Sequence, residues 1–236
     1  MSRVAIIPAR GGSKRIARKN IKPFHGLPII AYSIRTALAS GLFERVIVTT
    51  DDEEIAEIAR QFGAETPFVR PQALSNDYAG TMEVVQHALC ELARLGEAPQ
   101  FACCIYATAP FLQVRYLREG LQLLDAHAGK SYAFSVTTFD FPVQRALRVT
   151  ADGALDAMYP EYRLVRSQDL DTAWHDAGQF YWGRCEAWQR GDTLFSPAAL
   201  PVALPRNLVQ DIDTLEDWQR AEWIYGALKA AGELAA

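Results

Sequence analysis

Short apolar runs alternate with segments of helical periodicity through the first two-thirds of the chain. Residues 4–8, 45–50 and 101–107 are mainly apolar runs, which are typical of buried strands. Between these runs, apolar residues recur at three- and four-residue spacing, which predicts amphipathic helices. The alternation predicts a parallel sheet with helices on both faces. The other predicted strands are 67–70, 132–138, 179–183 and 208–212, and the predicted helices are 28–40, 53–62, 81–95, 114–128 and 215–228.

A hairpin arm is predicted at residues 142–162. Two short β-type stretches, 146–150 and 154–158, flank the turn sequence Ala151-Asp152-Gly153, and this pattern predicts a β-hairpin. No linker or internal repeat divides the rest of the chain. We therefore expect one domain over residues 1–236, with the hairpin inserted in it as a candidate for dimer contacts.

Composition narrows the class of protein. The chain has 236 residues, half of them apolar, which suits one large α/β domain. Its net charge of −4 argues against general nucleic-acid binding. No apolar run is long enough to cross a membrane, and no signal peptide is visible. The four cysteines lack metal-like spacing, so we expect buried thiols in a cytoplasmic protein.

The segment after the first strand is rich in glycine and positive charge. Between Arg10 and Lys19, five basic side chains accompany the pair Gly11-Gly12 and Ser13. Glycines allow backbone N–H groups to approach an anion, and basic side chains neutralise it. The segment therefore predicts a nucleoside triphosphate site, with Arg10 and Lys19 contacting phosphates and Ser13 adding a hydroxyl.

Other nucleotide-binding motifs do not match this segment. The sequence lacks both the G-x-x-x-x-G-K-[ST] spacing of a P-loop and the G-x-G-x-x-G spacing of a dinucleotide site. A glycine turn beside a solvated basic face is the alternative to an anion site. Because five like charges repel one another, a bound anion would relieve that repulsion, which favours the anion site.

Two aspartates, Asp211 and Asp213, lie two residues apart near the C-terminal helix. On an extended segment this spacing places both carboxylates on the same side. Such a pair suits Mg²⁺ that also carries water and phosphate oxygens. In the alternative interpretation, Asp213 only caps the helix that begins near Leu215, and Asp211 is a surface residue. The triphosphate site near the start of the chain favours the magnesium interpretation.

A second polar region, residues 166–182, mixes charged, amide and aromatic side chains, a composition typical of sugar pockets. The planar guanidinium of Arg166 suits a carboxylate. The alternative to sugar binding is that His175 is a core histidine and Asp176 is a cap. The predicted sugar-binding residues are Arg166, Gln168, His175, Asp176 and Gln179.

Two further positions are candidates for contact with the base or the ribose. Thr81 begins a predicted helix, either as a plain N-cap or with the helix N-terminus aimed at a ligand. Tyr106 lies at the end of the central predicted strand, where ligands of open α/β sheets bind. Simple termination of the strand is equally compatible with these residues.

Together these motifs resemble those of the nine-carbon acidic sugar cytidylyltransferases, the CMP-sialic acid synthetase family. The nucleotide-binding signature of that family is similar to IIPARGGSKRI at residues 6–16 with Lys19-Asn20. Its C-terminal acidic motif matches Asp211-Ile212-Asp213-Thr214. The resemblance spans nearly the whole chain, and it extends to Thr49-Thr50-Asp51, Arg70-Pro71, Leu74-Ser75 and Asp77.

Two segments favour pseudaminic acid over neuraminic acid as the sugar. Members that activate sialic acid typically carry Gln-Pro-Thr-Ser-Pro-Leu-Arg where this chain has YATAPFL at 106–112, and Asn-Gly where it has Ala177-Gly178. The first segment, and HDAGQFYWG at 175–183, are similar to those of members that activate pseudaminic acid. Neuraminic acid, an eight-carbon keto-acid sugar, or an inactive CTP-binding module are the alternatives.

The resemblance implies a fold, a reaction and a set of site residues. The fold is a doubly wound, mostly parallel α/β sheet, Rossmann-like and similar to nucleotide-diphospho-sugar transferases, with a small protruding dimerisation arm. The reaction converts CTP and the sugar acid into a CMP-sugar and pyrophosphate, with Mg²⁺ required, and we expect a homodimer. The predicted catalytic residues are Arg10, Lys19 and Asp211; the nucleotide-binding residues are Ala9, Arg10, Gly11, Gly12, Ser13, Lys19, Asn20, Thr81 and Tyr106; and the metal ligands are Asp211 and Asp213.

Overall fold

A central sheet with helices on both faces organises the computed structural model, which describes residues 2–234. The strands are β1 (Arg3–Pro8), β2 (Pro23–Phe24), β3 (Leu27–Pro28), β4 (Arg45–Thr49), β5 (Phe101–Ile105), β6 (Tyr132–Thr138), β7 (Leu147–Val149), β8 (Leu155–Ala157), β9 (Trp174–Arg184) and β10 (Ala199–Ala203). The helices are α1 (Ile30–Ser40), α2 (Glu53–Gln61), α3 (Thr81–Arg94), α4 (Val114–Ala126), α5 (Cys185–Arg190) and α6 (Leu215–Ala230).

Six of the strands form the central sheet in the order β10-β6-β9-β5-β1-β4. The pairs β1–β4, β1–β5 and β6–β10 are parallel. Only β9 runs against its neighbours, β5 and β6, within this sheet. The prediction of a mostly parallel α/β sheet is therefore confirmed.

Alternate residues of the inner strands explain why both faces of the sheet are covered. In β1, Ala5 and Ile7 pack into the core on one face, whereas Val4 and Ile6 pack into the core on the other. Helices α1, α4 and α6 contribute to the first core, and α3 and α5 to the second. Burying each side chain as large as Ile contributes about 1.5–3 kcal/mol, so the apolar strand runs are stable only with both layers present.

One edge of the sheet collects the segments that carry the candidate chemistry. Pro8 at the end of β1 pairs with Thr49 at the end of β4, so both following loops leave at this carboxyl edge. The backbone N–H of Gly11 donates to Asp51 Oδ1 at 3.0 Å, which joins the two loops. Since β5 is parallel to β1, Tyr106 follows it at the same edge.

Two predicted strands, 67–70 and 208–212, are wrong. The first segment is held beside the sheet by a bond from the Arg70 N–H to the Thr50 carbonyl at 2.9 Å, and no ladder forms there. Around residue 208 the backbone forms a 3-10 turn. The last strand of the sheet is instead β10, whose Pro201 weakens the sequence signal but is tolerated because β10 is an edge strand.

The strand predicted at 179–183 is part of the longer β9, which has 11 residues. In its extension, Trp174 to Gly178, the first three residues pair with Val136 to Thr138 of β6, beyond a register shift between Phe134 and Val136. Polar residues at its start obscure the apolar pattern from which strands are predicted. The extension places His175 and Asp176 beside the carboxyl end of β6.

A two-stranded hairpin, β7 with β8, lies outside the central sheet. Leu147 pairs with Ala157, and Gly153 in the turn adopts a positive φ of 84° that suits glycine. The hairpin exposes a set of apolar side chains, Leu147, Val149 and Leu155, of which Val149 is 71% exposed. Its place in a dimer stays a prediction.

Three of the four cysteines are buried. Cys103, Cys104 and Cys185 are buried thiols, as predicted, but Cys90 on the outer side of α3 is exposed. Its prediction as a buried thiol was wrong because the helix turns that position away from the sheet. Among residues 2–234, no helix is both long enough and apolar enough to span a bilayer.

Candidate active site

A cavity of about 590 Å³ opens at the carboxyl edge of the sheet. Its walls come from the loop after β1, the segment before α3, the residues after β5 and the segment before α6. Ser13, Asn20, Thr81 and Tyr106, all predicted to bind nucleotide, line it together with Arg10 and Lys19. We refer to this space as the cationic cavity.

Positive charge dominates the lining of the cationic cavity. Its cationic side chains are Arg10, Lys14, Arg15, Lys19 and Arg70, and its carboxylates are Asp77 and Asp213. Each carboxylate holds two of the cations. Asp77 lies 2.6 Å from Arg10 Nη1 and 2.5 Å from Lys14 Nζ, and Asp213 lies 2.9 Å from Arg15 Nη2 and 3.3 Å from Lys19 Nζ.

Lys19 joins the two ends of the chain. Its ammonium group donates to the Ile212 carbonyl at 2.6 Å and also contacts Asp213. Only 19% of the Lys19 side chain is exposed, so this charge acts in a partly desolvated setting where electrostatic interactions are stronger. The basic loop (residues 10–19) and the acidic segment (residues 211–213), which are separated by almost the whole sequence, therefore meet here.

Arg70 is a candidate ligand that motif analysis did not assign to the site. It lines the cationic cavity, yet the residue is only 3% exposed. Its Nε donates to Ser75 Oγ at 3.2 Å, whereas Nη2 finds no hydrogen-bond partner within residues 2–234. Burial lowers the pKa of Arg70 although Asp51 partly opposes the shift. A bound anion would satisfy this buried cation; the only sequence signal was its place in the Arg70-Pro71 pair.

The glycines of the basic loop have mainly architectural roles in this conformation. The N–H of Gly11 is used by Asp51, and a Cβ on Gly11 would lie 2.7 Å from Asp52 Oδ2. Ala9 is buried, and Asn20 donates to the Arg10 carbonyl at 2.9 Å. Ala9, Gly11 and Gly12 are absent from the lining of the cationic cavity in the described chain, whereas the Asn20 contact fixes the Arg10 backbone.

Thr81 and Tyr106 meet on the wall of the cationic cavity. Gly80 is the N-cap of α3, so the interpretation of Thr81 as the cap is wrong; Thr81 is the first helical residue. The Thr81 and Tyr106 hydroxyls are 3.0 Å apart. Burial is the main cause of a raised pKa at Tyr106, so its hydroxyl stays protonated near neutral pH. Both hydroxyls are available for polar contact with a ligand.

The acidic segment forms the boundary between this cavity and a second one. Thr214 caps α6 through its bond from the Asp217 N–H, so Asp213 is free of the capping role that was the alternative. Ile212 is fully buried, while Asp213 lines the cationic cavity and Asp211 lines its neighbour. Burial and then repulsion from Asp213 raise the pKa of Asp211.

This pair fits a divalent cation by its chemistry. Two hard carboxylate oxygens that repel each other gain stability when a cation neutralises them. Among residues 2–234 no group of three or more His, Cys, Asp or Glu side chains is arranged to hold a metal. Two carboxylates leave most of an octahedral shell open, so a cation held by Asp211 and Asp213 would take its remaining oxygens from water and phosphate, as Mg²⁺ commonly does.

A second cavity, of about 1170 Å³, lies on the other side of Asp211. His175 and Asp176, two of the predicted sugar-binding residues, line it. Asp176 is held in place because its carboxylate accepts from the Gly178 N–H at 2.9 Å and from the Tyr181 hydroxyl. The His175 Nδ1 is 2.8 Å from the Asp176 carbonyl, so the histidine is partly engaged with its own strand.

The remaining predicted sugar ligands lie elsewhere. Arg166 is exposed and paired with Asp169 at 2.9 Å, and neither it nor Gln168 is part of the second cavity's lining in the described chain. Gln179 is buried and donates to the Leu208 carbonyl at 2.5 Å. Three arginines that the sequence did not single out do line the second cavity: Arg145, Arg206 and Arg220.

Comparison of the sequence with known proteins identifies the family of this chain. The family model described as Cytidylyltransferase matches residues 4–179, which is most of the chain and includes the whole basic loop. The chain belongs to the cytidylyltransferase family. It is accordingly a nucleotidyltransferase, and the expected class of enzyme is confirmed. The matched range contains much of both cavities but ends before the acidic segment.

Two curated cytidylyltransferases resemble nearly the full chain. The pseudaminic acid cytidylyltransferase of Campylobacter jejuni is 44% identical over 225 residues, which cover 95% of this chain and 97% of that protein. N-acylneuraminate cytidylyltransferase B of Danio rerio is 34% identical over 221 residues, covering 93% of this chain and 50% of that protein. Because each match covers more than nine-tenths of this chain, the acidic segment lies within the matched span of both.

The solved structure of a CMP:2-keto-3-deoxy-manno-octonic acid synthetase, complexed with CTP, superposes with a TM-score of 0.70. The match covers 99% of this chain and 100% of the other, at 17% sequence identity. At that identity the similarity concerns the fold. It agrees with the mostly parallel sheet of a cytidylyltransferase.

Proposed function

We propose that this cytidylyltransferase transfers CMP from CTP to the anomeric hydroxyl of pseudaminic acid, releasing pyrophosphate. The observation that carries the proposal is the 44% identity to a pseudaminic acid cytidylyltransferase along almost the whole of both chains. The geometry supports the reaction, because two cavities meet at the acidic segment.

The cationic cavity suits the triphosphate. Arg10 and Lys19 approach from the loop after β1, and the unsatisfied Nη2 of the buried Arg70 adds a third positive group. Charge on the phosphate oxygens and on the leaving pyrophosphate grows during transfer, so fixed cations favour the transition state. Thr81 and Tyr106 offer hydroxyls to the ribose or the cytosine.

Asp211 and Asp213 would hold Mg²⁺, whose role when bound is to neutralise phosphate oxygens and orient them for displacement. Lys19 contacts the same segment through the Ile212 carbonyl and Asp213, which supports the segment beside the triphosphate. Asp211 lines the second cavity, so its carboxylate is placed to accept a proton from a sugar bound there. We assign it the anomeric hydroxyl proton.

The second cavity suits the acidic sugar. Asp176, fixed by Tyr181 and the Gly178 N–H, is an acceptor for hydroxyl or acylamino groups. Arg206 and Arg220, together with Arg145, are candidates for the sugar carboxylate because they line the cavity. Arg166 stays a predicted carboxylate ligand only if the exposed segment around it moves toward the cavity.

We extend the proposal to assembly and location. A second copy of the chain would cover the exposed apolar side chains of the hairpin, giving a homodimer. Leu164, 94% exposed two residues after the arm, adds a further exposed apolar side chain. The three buried thiols and the use of CTP suit the cytoplasm.

Pyrophosphate release with CTP, Mg²⁺ and separate sugars tests the proposed function. Pseudaminic, N-acetylneuraminic, legionaminic and eight-carbon keto-acid sugars are compared by kcat/KM, and each product is identified by mass spectrometry. The proposal expects the highest kcat/KM for pseudaminic acid, with CMP-sugar and pyrophosphate in equal amounts. A preference for another sugar would overturn the assigned substrate, and CTP binding without turnover of any sugar would indicate an inactive module.

A further inference from the structure

Asp77 places a negative charge inside the cavity that is suited to a polyanion. Its carboxylate contacts Arg10 Nη1 at 2.6 Å through Oδ1 and Lys14 Nζ at 2.5 Å through Oδ2. Each carboxylate oxygen is therefore paired with a cation of the basic loop. Asp213 has an analogous pair of cations, but it lies in the segment to which we assign the metal. Asp77 is left without a catalytic explanation.

The backbone around Asp77 fixes it at the cavity wall. Asn76 Oδ1 accepts from the N–H groups of Tyr78 and Ala79, at 2.8 and 3.0 Å, which forms a tight turn around residue 77. The adjoining Ser75 hydroxyl contacts Arg70 Nε at 3.2 Å. The segment that carries Asp77 is thus joined to another cation of the same cavity, and Asn76 and Ala79 belong to the cavity lining.

A phosphate chain and Asp77 would require the same groups. If the triphosphate takes Arg10 and Lys14, the two ion pairs must break; if the pairs persist, the carboxylate charge repels the phosphates. In either case the nucleotide binds more weakly than it would to a protein with a neutral side chain at position 77. The same effect assists departure of pyrophosphate, because the carboxylate re-forms its pairs as the product leaves.

We propose that Asp77 is an internal anion that competes with phosphate groups for Arg10 and Lys14, and so sets nucleotide affinity and promotes pyrophosphate release. The inference rests on the proposed function, since it takes the cationic cavity as the triphosphate site. Asp77 acts through the two cations and is a positioning residue. It makes no bond to the reacting phosphorus in this scheme.

Asp77→Asn tests the competition because it removes the charge and preserves the shape of the side chain. Equilibrium binding of CTP, inorganic pyrophosphate and cytidine is measured for both proteins by calorimetry. Loss of two partly exposed ion pairs predicts Kd values for CTP and pyrophosphate about threefold to tenfold lower in the variant. Cytidine, which has no phosphate, should bind both proteins equally. The variant's Kd for CTP should also rise more steeply with KCl.

Asp192→Asn is the matched control, since Asp192 pairs with Arg190 at 2.7 Å and lines neither cavity. It should leave all three Kd values unchanged. Unchanged or weaker CTP binding by Asp77→Asn, or an equal change for cytidine, would overturn the inference and assign Asp77 to support of the loop. Wild-type protein that binds no CTP would instead refute the proposed function, so the two failures are distinguishable.

Discussion

Lys19→Ala is expected to lower kcat/KM by about 10²–10³ while the protein still folds. The ammonium group lies where the basic loop meets the acidic segment, with its contacts to the Ile212 carbonyl at 2.6 Å and Asp213 at 3.3 Å. Removal takes away a preorganised positive charge from the triphosphate, and losing one such group typically costs about 3–4 kcal/mol of transition-state stabilisation. The acidic segment also loses a tether.

The effect on stability should be much smaller. Alanine leaves the Ile212 carbonyl without its ammonium donor, a loss of about 1–2 kcal/mol for a partly buried charged hydrogen bond. In a domain of this size that corresponds to a fall in Tm of roughly 2–8 °C. Steady-state kinetics with CTP and pseudaminic acid, together with thermal unfolding, separates the two effects.

Lys130→Ala supplies the matched control. Lys130 Nζ also donates to a backbone carbonyl, that of Pro197 at 2.5 Å, but it lines neither cavity. It should show a smaller fall in Tm, because its bond is exposed, and near-normal kcat/KM. Near-normal turnover by Lys19→Ala would refute the reasoning, because it would remove Lys19 from the site; an equal loss of turnover in both variants would attribute the effect to stability.

Three other predictions concern the acidic segment, the ion pair between Arg18 and Asp52, and the hairpin arm. Asp211→Asn should abolish turnover at ordinary Mg²⁺ but leave Tm unchanged or higher, because it relieves repulsion from Asp213; turnover retained would contradict the metal assignment. Asp52→Asn should cost about 0.5–1 kcal/mol at pH 7 by urea unfolding, since the hydrogen bond from Arg18 lowers the Asp52 pKa. That deficit is fully present above the ordinary carboxyl pKa of 3.8 and should vanish as pH falls through the lower folded value; a deficit that persists in acid would contradict the pairing. Leu155→Asp on the arm should sediment as a monomer, whereas Leu95→Asp, also exposed but at the C-cap of α3, should remain dimeric; monomers from the wild type would refute the dimer.

Periodicity was sufficient to predict the fold class because β1, β4 and β5 are apolar on both faces, which only a covered parallel sheet explains. It failed where the pattern is mixed. Pro201 concealed β10, and the polar start of β9 concealed its extension beside β6. Both errors arise because long-range pairing, which the local sequence does not encode, determines whether a weak segment becomes a strand.

The candidate site divides in the same way. The basic loop and the acidic segment are local motifs, and the structure shows their contact through Lys19 and Asp213. Arg70 and the arginines around the second cavity carry no local motif, and only folding brings them to the cavity walls. Arg166, chosen for its chemistry, is instead exposed beside Asp169. Residue type indicates possible chemistry, but the topology decides which side chains share a site.

The central claim is that the sugar's anomeric oxygen attacks the α-phosphorus of CTP where the two cavities meet. Pseudaminic acid enriched in heavy oxygen at the anomeric hydroxyl tests this attack in a single turnover, with the products resolved by mass spectrometry. Our account predicts that the label is retained in the CMP-sugar as the oxygen between carbon and phosphorus, and that pyrophosphate is unlabelled. Loss of the label to water beyond that of the free sugar incubated without enzyme would mean that the sugar's C–O bond breaks during transfer, and the account would be contradicted.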